Sequence, residues 1–156
     1  IDHCRAQHGG EWFAEQFIDG REFNVSVLEV DRKPHILPIA EMTFVDYPRG
    51  KPKIVGYAAK WDAAAPEFHA TQRSFARLPA AEHDAIVGVV QNCWQSFNLR
   101  GYARVDLRMD AAGVPWVLEV NVNPCLSPDA GFVAALAEAD MTTAEGIGHI
   151  VNASLY

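Results

Sequence analysis

Cysteine is scarce. Cys4, Cys93 and Cys125 are odd in number and far apart, so no disulfide framework or zinc-ligand spacing is available, and a reducing cytoplasm is the expected setting. The six histidines, at 3, 8, 35, 69, 83 and 149, show no ligand spacing either, and His83 and His149 fall inside expected helices as surface or satisfied groups. No apolar run approaches the ~18 to 20 residues of a membrane helix, and the opening Ile1-Asp-His-Cys-Arg5 is not a signal peptide, so no membrane partner is expected. Basic clusters are absent as well. With 13 basic residues against 20 acidic ones the formal charge is -7, which argues against nucleic acid as a partner. Anionic small ligands stay open, because local groups and a bridging metal can reverse the field at a site. There is no internal repeat and no initiator Met, and the chain is expected to continue a longer protein.

What is present suffices for one domain: 156 residues, 49% of them hydrophobic, enough for a real core. Residues 1–10 read as a frayed or linking segment ending in Gly9-Gly10. Glu11 to Ile18 and Arg21 to Val30 flank Asp19-Gly20, a two-residue hairpin signal, and predict two antiparallel strands. In the second, Phe23, Val25 and Val27 face one way and Glu22, Asn24 and Ser26 the other. His35 to Ala40 reads as a short strand, with Pro38 at an edge or bulge. Ile54 to Trp61 has a strand-like pattern, and Ala63 to Arg77 has no clear element. Ala80 to Phe97 is an amphipathic helix by the spacing of Ile86, Val87, Val90, Cys93, Trp94 and Phe97. Ser127-Pro-Asp129 offers a cap for a helix through about Ala139, and Thr142-Thr-Ala-Glu145 is a capping box for a last helix. The order predicts an α+β fold, an antiparallel sheet with helices on one face. Trp12, Trp61, Trp94 and Trp116 are expected as core or edge aromatics.

The informative stretch is Gly101 to Pro124, two alternating strands about the turn Asp110-Ala-Ala-Gly113. Pairing around that turn places Arg104 opposite Glu119 and Asp106 opposite Val117. Val105, Leu107, Met109, Val114, Trp116, Leu118 and Val120 then fall on a core face, and Arg104, Asp106, Arg108, Glu119 and Asn121 on the other. Two readings of that polar face stay open. It is either a solvated surface with an Arg104–Glu119 ion pair, or a site where a hard cation such as Mg²⁺ or Mn²⁺ separates carboxylates that would otherwise repel.

Glu119-Val-Asn-Val-Asn-Pro124, preceded by Ala103-Arg-Val-Asp106, resembles the ATP-grasp superfamily, and within it the D-alanine:D-alanine ligases and related carboxylate-amine ligases. The likeness extends back to Ala14-Glu-Gln-Phe-Ile-Asp-Gly-Arg-Glu-Phe-Asn-Val25 and forward through Ser127-Pro-Asp-Ala-Gly-Phe132, with the weakest fit at 41–77. It implies that residues 1–10 link to an upstream region and that 11–156 form the C-terminal ATP-grasp subdomain of a larger enzyme. It also implies a C-N ligase that consumes ATP and passes through an acyl phosphate, with small carboxylate and amine substrates and N-terminal domains of the same protein as partners. A homodimer is one assembly open to it. By residue, the resemblance implies Glu15, Gln16, Phe17 and Ile18 along the adenine as strand and hinge, and Glu22 on the ribose hydroxyls. Asp106, Glu119 and Asn121 match metal ligands, Arg104 the arginine that stabilises the oxyanion, and Lys60 a phosphate contact. Read without the family, Glu15 and Glu22 are solvent-facing strand carboxylates and Lys60 an exposed lysine. Cys125 stands where many relatives have a glycine after the proline of the motif, and reads as a small buried hydrophobe. Two alternatives remain: a ligase for another acid, as in glutathione-synthetase-like or biotin-carboxylase-like relatives, and a nucleotide- or metal-binding module without catalysis.

Overall fold

The computed structural model describes residues 1–75 and 77–155. The Trp61 side chain also lies outside what is described, and with it the expectation that it is a core or edge aromatic. Six strands form one antiparallel sheet in the order β4-β3-β1-β5-β6, with β2 paired to the far end of β1. They are β1 (Arg21–Val30), β2 (Lys33–Ile36), β3 (Ala40–Phe44), β4 (Thr71–Ser74), β5 (Tyr102–Met109) and β6 (Pro115–Asn121). The expected α+β antiparallel sheet with helices is therefore present, but the helices pack on both of its faces and not on one as expected.

β5 pairs along its full length with β1, from Arg21 opposite Met109 to Leu28 opposite Tyr102. Their odd-numbered residues build the main core: Phe23, Val25 and Val27 meet Ala103, Val105, Leu107 and Met109 under α4 (Ala80–Ser96), which buries Ile86, Val90 and Trp94. Burying one such side chain is worth ~1.5 to 3 kcal/mol, so this face holds the sheet together. The opposite face divides. At one end Leu28 and Leu37 are closed over by Phe132, Ala135 and Leu136 of α5 (Gly131–Glu138), with α6 (Thr143–Ser154) behind them. At the other end the same face carries Glu22, Asn24, Asp106 and Arg108. Arg21 fastens this end to its surroundings with a two-pronged bond to Glu41 of β3, at 2.8 Å on both prongs, and a bond to Glu82 of α4.

Several expectations are corrected. Residues 11–18 form no strand; the stretch is mostly exposed, with Phe13 80% accessible, and pairs with no strand among the described residues. Residues 2–8, expected to be frayed, form a short helix α1 (Asp2–His8) that buries nothing. The single strand expected at 35–40 is split, because Pro38 has no N-H to give a ladder. The chain leaves β1 after Ile36 and rejoins it at Ala40, so β2 and β3 share one side of β1. The strand expected at 54–61 is instead a helical turn, α2 (Tyr57–Trp61), and the stretch left without an element holds α3 (Pro66–Ala70) and β4. Ser127-Pro-Asp129 makes a turn, with Ala130 N-H bonded to Ser127 O, and α5 begins only at Gly131. The capping box at Thr142 and Glu145 is complete in both directions.

Candidate functional site

The organising hairpin differs from its expected register in two compensating ways. Its loop holds three residues, with Gly113 at φ 80, so Asp110 pairs with Val114 and Arg108 lies opposite Trp116. A β-bulge then intervenes: Leu107 faces Val117 and Asp106 faces Glu119, and Leu118 is the extra residue. A bulge reverses the alternation beyond it. Glu119 and Asn121 are thereby delivered to the face of Asp106 and Arg104, as expected, but directly opposite Asp106 and Arg104 respectively. Trp116, expected in the core, shares the face of Arg108 and is 46% exposed.

Two adjoining cavities lie on this face. One, of about 410 Å³, runs between Glu15 to Ile18, Ile54 and Val55, and the floor formed by Arg108, Trp116 and Leu118. The other, of about 520 Å³, is bounded by Arg73, Arg104, Asn121, Cys125, Ser127 and the start of α5 at Ala130 and Gly131. Glu22, Val55, Lys60, Asp106 and Glu119 line both. Every candidate site residue named from the sequence thus lines one or both of these adjoining cavities.

The centre of this face, around Glu22, Asp106 and Arg108, is buried, whereas Arg104 and Asn121 are half-buried and Glu119 is exposed. Glu22 and Asp106 are each 6% exposed and Arg108 only 3%. Arg104 grips Asp106 with both prongs, Nε to Oδ1 and Nη2 to Oδ2 at 2.7 Å each, in place of the expected pair with Glu119. That fork lifts the Arg104 pKa further, against the lowering effect of its own burial. Burial pushes the Glu22 carboxyl above the usual carboxylate range; Arg108 pulls it back down, Asp106 adds to the rise, and Lys60 and the Val55 N-H oppose it. Glu22 is therefore not a solvent-facing carboxylate, whereas Glu15 and Lys60 are exposed at the rim. Cys125, expected to be buried, is exposed; its thiol meets Ser127 Oγ at 3.1 Å, and that bond draws its pKa down.

Among the described residues no group of three or more His, Cys, Asp or Glu side chains is arranged to hold a metal ion. The available set is two facing carboxylates and an amide, Asp106, Glu119 and Asn121. Hard oxygens of this kind suit Mg²⁺ or Mn²⁺, which take few protein ligands and complete their shells with water and phosphate. Arg104 already supplies positive charge to Asp106, so a cation there would share that carboxylate with the guanidinium. The donor chemistry fits a divalent ion.

Arg108 is the main residue whose part in the site went unrecognised in the sequence. Its place two positions beyond Asp106 on the same strand face was visible; its burial was not. Ile54 and Val55 carried no signal, because an irregular wall has no period.

An antiparallel sheet with a hinge segment along one margin and two carboxylates facing across a terminal hairpin defines the C-terminal half of an ATP-grasp fold. Residues 4–152 match the family described as D-ala D-ala ligase C-terminus, and the chain belongs to it. It is similar to an uncharacterized protein, y4sG, of Sinorhizobium fredii, with 31% identity over 142 residues, covering 90% of this chain and 39% of that protein. It is 29% identical over 142 residues to the D-alanine–D-alanine ligase of Bordetella petrii, covering 90% of this chain and 40% of the ligase. In three dimensions it resembles the D-alanine–D-alanine ligase of Bacillus anthracis complexed with ATP, at a TM-score of 0.69 and 23% identity, covering 90% of this chain and 40% of that one. The chain thus spans about two fifths of the length of these proteins. No helix among the described residues is long and apolar enough to cross a membrane.

Proposed function

We propose that this chain is the C-terminal catalytic portion of an ATP-dependent carboxylate-amine ligase acting on D-alanine or a close analogue. The observation that carries the reading is that two adjoining cavities share Glu22, Lys60, Asp106 and Glu119 as lining. A nucleotide spanning both would set its base among Phe17, Val55 and Trp116 and its phosphates among Lys60, Asp106 and Glu119. The backbone of Glu15 to Ile18 supplies the donor and acceptor that an adenine edge needs, and the Glu22 carboxylate accepts the ribose hydroxyls. Asp106, Glu119 and Asn121 would hold Mg²⁺ or Mn²⁺, which when bound neutralises the phosphate oxygens.

The substrate carboxylate attacks the terminal phosphorus, giving an acyl phosphate and ADP. The amine then attacks the acyl carbon, loses its proton, and phosphate leaves. Arg104, which lines the second cavity, would stabilise the oxyanion of that second step, a role worth ~3 to 4 kcal/mol for one donor. An N-terminal region, corresponding to the rest of the relatives' length, would supply the other wall of the nucleotide site and most of the substrate pocket.

The test uses the full-length protein. Asp106→Ala and Glu119→Ala should each abolish Mg²⁺-dependent ADP release in the presence of D-alanine while the circular dichroism stays that of the parent. Normal turnover in both variants defeats the assignment of these residues. Turnover stimulated by other amino acids but not by D-alanine would keep the ligase and overturn the substrate.

A further inference from the structure

Arg108 is a costly residue to bury. A desolvated guanidinium must be met by charges and acceptors, and an apolar side chain would fill this strand position without that demand. The strands do not require it, since β5 is held by ladders to β1 and β6 on both sides. Its partners instead come from three separate segments. Nη2 donates to Gly20 O at 2.8 Å, Nη1 donates to Lys53 O at 2.6 Å and lies 3.4 Å from Glu22 Oε2, and the guanidinium sits 5.0 Å from the centre of the Phe17 ring.

These contacts have a common geometry. Glu15 to Ile18 and Ile54 with Val55 are two walls of the smaller cavity, Gly20 follows the first wall and Lys53 precedes the second, and none of these residues belongs to a strand. Arg108 pins both to the sheet from below. Its third contact, with Glu22, is long and single-pronged, unlike the short fork between Arg104 and Asp106. A carboxylate held in that loose way keeps acceptor capacity for a ligand, because each oxygen has two lone-pair directions. Among the described residues Nε has no hydrogen-bond partner, so the guanidinium is oriented by its two terminal nitrogens.

We propose that Arg108 is a positioning residue for nucleotide recognition, holding the Glu22 carboxylate and the hinge in the mutual placement with which Glu22 reads the ribose. Arg108 acts through Glu22 and the hinge. The inference rests on the reading of Glu22 as the ribose acceptor.

The experiment measures equilibrium binding of ATP and 2′-deoxy-ATP to the full-length protein by calorimetry. The parent should prefer ATP by about tenfold, the size of effect that one charge-assisted hydrogen bond produces. Glu22→Gln should erase most of that preference. Arg108→Met should erase it to the same extent, and the double variant should lose no more than either single one. Arg108→Lys should restore part of it, since the charge beside Glu22 returns while the two-carbonyl clamp does not. If Arg108→Met fails to fold, Arg108→Gln makes the same comparison with a smaller perturbation. Retention of the parental preference in Arg108→Met or Arg108→Gln, alongside its loss in Glu22→Gln, overturns the inference and leaves the nucleotide site standing. A parent that binds ATP without preferring it over 2′-deoxy-ATP overturns the ribose role of Glu22 and the inference with it.

Discussion

Gly20→Ala should be among the most damaging single-methyl additions to this protein. A Cβ at position 20 would lie 2.0 Å from Met109 O, 2.9 Å from Met109 C and 3.2 Å from Asp110 Cα. All three atoms are backbone, at the end of β5 where Met109 pairs with Arg21, so no side chain can rotate away to make room. Overpacking costs ~1 to 3 kcal/mol when side chains can adjust, and a clash against a strand carbonyl belongs at the upper end, about 3 kcal/mol. For a domain of this size that corresponds to a fall in melting temperature of roughly 6 to 12 °C. Gly113→Ala is the matched control. Its φ of 80 is unfavourable for alanine but nothing lies within 4 Å of the added carbon, and the expected loss is only ~1 kcal/mol. Thermal unfolding followed by far-ultraviolet circular dichroism measures both. Gly20→Ala should also weaken ATP binding, because any retreat of the hinge pulls Gly20 O off Arg108. Gly20→Ala melting no lower than Gly113→Ala would refute the claim that the hinge is seated by close backbone contact.

Two further predictions concern stability. Asp110 accepts from the Trp116 indole and from the Val114 and Ala112 N-H groups, which hold its pKa below the ordinary value. Its folded pKa is the lower one, so its contribution is present above the unfolded value near ~3.9 and disappears as pH falls through the folded value. Asp110→Asn should therefore flatten the acid limb of a stability-against-pH curve, and an unchanged limb would count against the turn as its source. Within α6, Gly146→Ala and Gly148→Ala should differ in sign. The first sets a Cβ 2.6 Å from Leu136 Cδ1 and should destabilise by about 1 kcal/mol after the gain in helix propensity. The second meets nothing within 4 Å and should stabilise by ~0.5 to 1 kcal/mol in a urea titration.

What was legible in the sequence follows physical period. α4 announced itself through apolar spacing, the β1 faces through strict alternation, and α6 through a capping box whose two bonds are purely local. The polar set of Arg104, Asp106, Glu119 and Asn121 was found on its proper face because the unforeseen third loop residue and the unforeseen bulge shift the register by one each and so restore its parity. Between those two irregularities the parity was wrong, and Trp116 was assigned to the core for that reason. Residues 11–18 have strand composition but no partner edge, because β3 and β5 already occupy the two sides of β1 at that end. The 54–61 stretch shows the limit of pattern: Ile54-Val-Gly-Tyr-Ala-Ala-Lys-Trp61 alternates poorly, and α2 is short enough that no helical period can establish itself. Charge alone left Arg108 and Asp106 open between a solvated face and a site; Arg108 is buried and bonded to carbonyls of Gly20 and Lys53, which lie far off in sequence.

The irregularity between Asp106 and Leu107 also shapes the outer margin of the sheet. β6 is an outermost strand, and Trp116, Val117 and Leu118 leave it with a greasy, half-open rim. A straight ribbon of that composition would be a template on which another copy could zip. Pro115 removes one amide hydrogen from its beginning, and the extra residue breaks the even spacing of the groups that follow. The distortion that aims Glu119 thus also denies neighbouring molecules a continuous row of bonds to extend.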